Sequence, residues 1–192
     1  MHIASPVTFS VDEPDDLIVP AVKSTTSLLE SVLRHGTSVK RVVFTSSAAA
    51  VLTPSEEPLQ FNEQDWNDAS VEICKVNGKG TPGTLIYCAS KVLSERAAWS
   101  IYRENKDTIS WDLVVLAPVD VYGPPFNEAA TPEDLTMTAR RWWDYVFKGA
   151  LDDAGLIREG CVVYNGLVLI SHLDVDGTGV DGLTHEIWVM PI

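Results

Sequence analysis

Cysteine, positive charge and long apolar runs are all scarce in this 192-residue chain, and each scarcity closes off a class of function. The 3 cysteines (Cys74, Cys88 and Cys161) are an odd number without C-x-x-C spacing. That argues against a disulfide framework or a zinc site and fits a reducing, cytoplasmic setting. The 4 histidines are scattered and form no H-E-x-x-H, so no metal site is expected. Against 27 Asp and Glu stand only 14 Lys and Arg, a formal charge of -13. Without a basic patch, neither nucleic acid nor an anionic membrane surface is an expected partner. No apolar run approaches the roughly 20 residues of a membrane span. The N-terminus has no basic stretch followed by an apolar core, so no secretory signal is read there.

What is present is ordinary globular material, 45% hydrophobic and 21% charged, at a length that suits one domain with a real core. "MHIASPVTF" reads as a strand end running into a loop. A helix is expected over residues 20–35, with Pro20 near its first turn, Gly36 as its stop, and Val22, Thr25, Leu29, Val32 and Leu33 on one apolar stripe. "RVVFTSS" is a short β-branched strand of the kind a buried parallel sheet uses. Residues 53–82 read as a long polar excursion, punctuated by prolines and glycines. The next helix, "LIYCASKVLSERAAW", carries Ile86, Ala89, Leu93, Ala97 and Ile101 on its apolar face. "WDLVVLAP" is a second buried strand, ended by "YGPP". Beyond it, "TARRWWDYVFKGALDD" suits an amphipathic helix and "CVVYNGLVLISHLDV" a strand. Apolar strands alternating with helices predict an α/β fold with a parallel sheet.

One pair of residues on the second helix draws attention. Tyr87 and Lys91 stand four apart, so both side chains leave the same face, one residue off the apolar stripe and at the edge of the core. Tyrosine ordinarily titrates near pKa ~10, and a neighbouring ammonium favours the phenolate, so such a pair is suited to moving a proton. Carbonyl chemistry also wants a hydroxyl to hold an oxygen. The "TSS" at residues 45–47 supplies candidates at the C-terminal end of a strand, where open parallel sheets bind ligands.

"HIASPV", "RVVFTSSAAAV", "FNEQDWND", "YCASKVLSERAAW" and "LAPVDVYGPP" together resemble, in order and rough spacing, the extended short-chain dehydrogenases/reductases. They look closest to the branch of dihydroflavonol reductases and fungal aldehyde or ketone reductases, and the resemblance covers about residues 2–126. It implies an NAD(P)-dependent oxidoreductase that reduces an aldehyde, ketone or dihydroflavonol-like carbonyl to an alcohol, with NADP(H) the habit of the branch. By the same resemblance Tyr87 is the general acid, and Lys91 holds the nicotinamide ribose. Ser47 holds the carbonyl oxygen, while Ala4, Ser5, Pro118 and Val121 line the nicotinamide side.

The family's Gly-rich phosphate loop has no counterpart here, because the sequence starts at what resembles the fourth strand. "GKGTPG" (residues 78–83) follows a polar stretch and contains Pro82, and "GTGVDG" (residues 177–182) leaves no room for a βαβ unit. "DVDGTG" (residues 174–179) lacks the glutamate of a calcium loop, its twelfth position being His185. All three read as turns. The expectation is therefore a partial Rossmann-type sheet, strands four to six with flanking helices, in an N-terminally truncated reductase. Residues 1–126 would carry the triad and 127–192 a divergent, irregular substrate region. In that region "HLDVDG" (residues 172–177) faintly echoes the family, and Trp142 and Trp143 are pocket or core candidates. An exposed apolar sheet edge and poor dinucleotide affinity should follow. A nucleotide-sugar epimerase or dehydratase of the same fold, or a catalytically silent interaction protein built from a reductase fragment, are the rival readings.

Overall fold

Two strands with strict burial alternation form the centre of the molecule, β1 (Arg41–Thr45) and β3 (Asp112–Pro118). They pair in parallel, Arg41 opposite Asp112 and Thr45 opposite Leu116. The computed structural model describes residues 1–53, 55, 59–62, 64–119, 129–148, 169–173 and 187–189. His2 adds an isolated parallel bridge to Phe44 on the outer side of β1, its amide donating to Val43 and its carbonyl accepting from Thr45. The expected strand end is there, with the expected direction. On the far side of β3, β4 (Leu169–Leu173) runs antiparallel, inside the stretch read as a strand. A short second pairing joins β2 (Leu59–Phe61) to the antiparallel β5 (Ile187–Val189). β4 and β5, both from residues beyond 126, thus pair with strands from before it. The result is an α/β fold with a parallel core.

Helices depart from the sequence reading in three instructive ways. The first, α1 (Pro14–His35), begins six residues before Pro20. Pro14 takes the first-turn position, where a missing N–H is harmless, and Asp15 and Asp16 meet the positive end of the dipole. Pro20 is left inside the helix on its exposed side. An interior proline removes one hydrogen bond and crowds the preceding turn. The longer helix persists because it buries Leu17 and Ala21, a stripe that continues through Thr25 and Leu29 while Val22 stays half-buried.

The polar excursion is also more ordered than its composition suggests. Within it lies α2 (Asp68–Asn77), with only Ser70, Val71 and Cys74 buried and Gly78 closing it at a positive φ of 52°. A short 3-10 turn, Gly78–Gly80, follows, so the first glycine motif is a helix stop and not a phosphate loop.

The third departure concerns α3 (Gly83–Asn105). It packs against α1, α2 and the sheet together, so it buries more than one stripe. Ile86, Ala89 and Val92 join Leu17, Val71 and Cys74, whereas Ala98, Trp99 and Tyr102 join the strand residues Val42, Phe44, Leu113 and Val115. Leu93, Ala97 and Ile101, expected in the core, are only half-buried. A helix enclosed on three sides cannot be read from a single apolar face. The last described helix, α4 (Met137–Lys148), matches the amphipathic reading, and Trp143 stacks on Phe147 with ring centres 4.1 Å apart.

Gly83 shows why α3 starts where it does. A Cβ placed there would overlap the carbonyl of Phe9, so the loop after His2 lies directly on the helix start. Gly83→Ala is therefore expected to destabilise the fold by about 1–3 kcal/mol, the usual range for overpacking. Thermal melting followed by circular dichroism tests it, and an unchanged midpoint would mean that the Phe9 loop moves aside freely.

Candidate active site at the carboxyl end of the sheet

The parallel strands all end on one side, and the chemistry-bearing residues gather there. His2 leads into exposed Ala4 and half-buried Ser5. β1 leads into Ser46 and Ser47, the Ser46 amide extending the ladder to Leu116 at 2.7 Å. β3 ends at Pro118, half-buried and opposite Leu169. Val121 lies outside the described residues, as does the rest of "DVYGPP" (residues 120–125). So do residues 174–186, which contain the two remaining turn motifs. Of the two tryptophans, only the Trp143 side chain is described.

Ser47 caps the 3-10 turn Ala48–Ala50, its Oγ accepting from the Ala49 amide at 3.2 Å. This uses the oxygen as an acceptor and keeps the O–H hydrogen for a second partner. The same turn buries Ala50 with Ile86 and Ala89, which seats it against the first turns of α3. Those turns carry Tyr87 and Lys91. The Tyr87 ring is half-buried, with the Phe9 ring edge-on to it at 5.4 Å. The Lys91 Nζ stands 5.5 Å from the Tyr87 ring centre.

Lys91 is the correction to the sequence reading. It does not sit at the edge of the core but inside it, 6% exposed. The reason is the three-sided enclosure of α3 described above. Burial lowers its pKa from the usual lysine range. Its ammonium also reaches His2, whose pKa is lowered first by burial, then by Lys91, then by the terminal amine. The His2 ring lies against Phe44 with centres 5.6 Å apart, and its Nε2 has no hydrogen-bond partner among the described residues.

Two further residues are missing from the sequence reading. Glu95, one turn beyond Lys91, is 0% exposed. Ser46 Oγ donates to its Oε2 at 2.5 Å, and Trp99 Nε1 donates to its Oε1 at 3.3 Å. Asn67, 1% exposed, caps α2 by accepting from the Ser70 amide at 3.2 Å. Its Nδ2 also donates to the Ala49 carbonyl at 3.2 Å, and its amide to that of Ala50 at 2.8 Å. An asparagine just before "DAS" is a helix-start signal that was legible. Nothing local marks Glu95, because its partner Ser46 is 49 positions away.

No helix among the described residues is long and apolar enough to cross a membrane. Cys74 and Cys88 are free thiols, and burial pushes both up in pKa.

No family model matches the chain. It is similar to the NADPH-dependent methylglyoxal reductase GRE2 of Saccharomyces cerevisiae, 40% identical over 129 residues that make up 65% of this chain and 36% of the yeast protein. It is also similar to the anthocyanidin reductase ((2S)-flavan-3-ol-forming) of Vitis vinifera, 30% identical over 177 residues, 90% of this chain and 47% of the plant protein. Among solved structures it resembles yeast methylglyoxal/isovaleraldehyde reductase Gre2 complexed with NADPH, with a TM-score of 0.57 at 36% identity, covering 65% of this chain and 36% of that one. The chain thus spans less than half the length of these relatives.

Proposed function

We propose, from a chain whose homologues are fungal and plant reductases of the extended short-chain dehydrogenase/reductase branch, that its chemistry is the NADPH-dependent reduction of a small carbonyl compound to an alcohol. The observation that carries the proposal is the joint placement of Ser47, Tyr87 and Lys91 at the carboxyl end of the sheet, on elements that pack against each other. The relatives whose names state an activity, among them the yeast methylglyoxal reductase and plant anthocyanidin reductases, are reductases, which favours this reading over an epimerase.

The residues present fit the nicotinamide end of the cofactor. A buried ammonium beside a phenol, with Ser5 nearby in sequence to a strand end, suits ribose hydroxyls and a carboxamide. The described residues supply no phosphate site. Among the described residues no Gly-rich turn joins a strand to a helix, and the exposed start of α1 is acidic. Bound NADPH would supply a hydride to the carbonyl carbon. Ser47 would donate its O–H to the carbonyl oxygen, and Tyr87 would deliver a proton to that oxygen as charge builds on it. Lys91 would orient the ribose and favour the phenolate left behind. Ala4, Ser5, Pro118 and Val121 would shape the nicotinamide side. Residues 1–126 would carry this proton-donating half, and 127–192 would belong to the substrate side.

Deuteride transfer tests the proposal. The chain is incubated with 4-deuterated NADPH and methylglyoxal or isovaleraldehyde, and label in the alcohol is read by mass spectrometry. Slow incorporation with weak, poorly saturating NADPH binding is expected. Absence of label with any carbonyl tried would sink the reductase reading. Tight binding with rapid turnover would sink the reading that the described residues fit only the nicotinamide end of the cofactor.

A further inference from the structure

We propose that Asn67 and Glu95 are positioning residues that act through Ser47, holding the chain on both sides of it. The inference rests on the reductase reading for Ser47's role, but its geometry stands without it. Ser47 lies between two anchored neighbours. Before it, Ser46 is tied to Glu95 on α3, the helix that also carries Tyr87 and Lys91. After it, the Ala49 and Ala50 carbonyls are tied to Asn67 at the head of α2.

Both anchors are sealed from water. Glu95, Asn67 and Ser46 are 0%, 1% and 4% exposed. Buried polar groups without competing solvent hold one geometry, because breaking the bond leaves an unsatisfied donor or acceptor. Each anchor is itself fixed by a second bond. Trp99 holds the other oxygen of Glu95, and the Ser70 amide holds the Oδ1 of Asn67. The two anchors differ in what they lock. Glu95 sets where Ser47 stands relative to Tyr87 and Lys91, since all three belong to the Ser46–α3 unit. Asn67 sets the turn that aims the Ser47 oxygen, since the Ala49 amide that bonds to it belongs to the same turn. A hydroxyl that must meet a carbonyl oxygen gains from such fixing, because small misplacements of a catalytic group are costly in rate.

Asn67→Ser and Ser46→Ala separate this role from general support. Serine keeps a capping oxygen for α2 but is too short to reach Ala49. Each variant of the full chain is made alone and with Ser47→Ala, and two measurements are taken. Amide exchange should accelerate by about tenfold or more at residues 49–51, with core amides of α1 and α3 within about twofold of wild type. Unchanged protection in the turn would overturn the clamp. At matched protein and NADPH concentrations the rate of deuteride transfer should fall by about tenfold, NADPH binding should hold, and neither variant should lower the rate further once Ser47 is alanine. Losses that simply multiply with that of Ser47→Ala would mean ordinary structural support and would also overturn it. A wild-type chain that transfers no deuteride refutes the reductase reading alone, and the exchange measurement then decides the clamp.

Discussion

Tyr87→Phe is expected to lower deuteride transfer to a carbonyl by about 10²–10⁴-fold, the usual contribution of a positioned proton donor. The substitution removes one oxygen and little else. The ring that meets Phe9 edge-on and lies under the Lys91 ammonium is retained, so the half-buried packing should survive. Melting should shift by no more than a surface-type change does, within about 0.5 kcal/mol. NADPH binding should also hold, because in the proposed reaction Tyr87 would act on the substrate oxygen while Lys91 would face the ribose. Transfer at saturating carbonyl, with protein and NADPH concentrations matched to wild type, is the decisive measurement. A loss below about tenfold would remove Tyr87 from the proton path.

Lys91→Met should separate stability from activity, raising the first and abolishing the second. Lys91 is 6% exposed and burial lowers its pKa. A lowered lysine pKa means that the folded state holds the proton less tightly than the unfolded chain. Below the folded value both states are charged, and the full penalty of burying the charge is present. As pH rises from that folded value toward the unfolded value near ~10.4, the unfolded chain holds more protons and stability climbs. Methionine matches the stem in length, has no charge to desolvate, and suits the face of Tyr87. The melting midpoint should rise by about 2–4 °C for each kcal/mol recovered in a domain of this size. The alkaline rise in stability should flatten as well. Deuteride transfer should disappear into background. A midpoint that falls would mean that the ammonium over the Tyr87 ring stabilises the fold more than its burial destabilises it.

The trade is legible only from three dimensions, and this marks where the sequence stopped. Tyr87 and Lys91 stand one helical turn apart, and Ser47 follows a β-branched strand, so local rules sufficed to single them out. Local rules placed Lys91 at the rim, because they count one apolar face per helix. What buried it was the convergence of α1, α2 and the sheet on α3, a matter of elements far apart in the chain. Glu95 failed for the same reason. A glutamate beside Arg96 in a helix reads as solvated, and its burial depends on Ser46 and Trp99 arriving from the sheet side and from the next turn. Pro20 misled differently. Proline is commonest in a first turn, but Pro14 occupied that place and the gain from burying Leu17 carried the helix through the second proline. Asn67 is the residue that closer attention to capping would have found.

The fork between Arg41 and Asp112, closing at 2.8 and 2.6 Å where β1 and β3 begin, has a consequence for how this fold tolerates change in length. The two residues are 71 positions apart yet directly opposite in the ladder. Sliding one strand by a single residue would part the fork and turn every inward side chain outward. Register is thus fixed at the entrance of the strands, independently of the span between them. Insertions between the two strands that spare packed elements, as in the turn Gly78–Gly80, can lengthen the connection without moving Ser47 against Tyr87. The same insertion within residues 41–50 would shift one relative to the other.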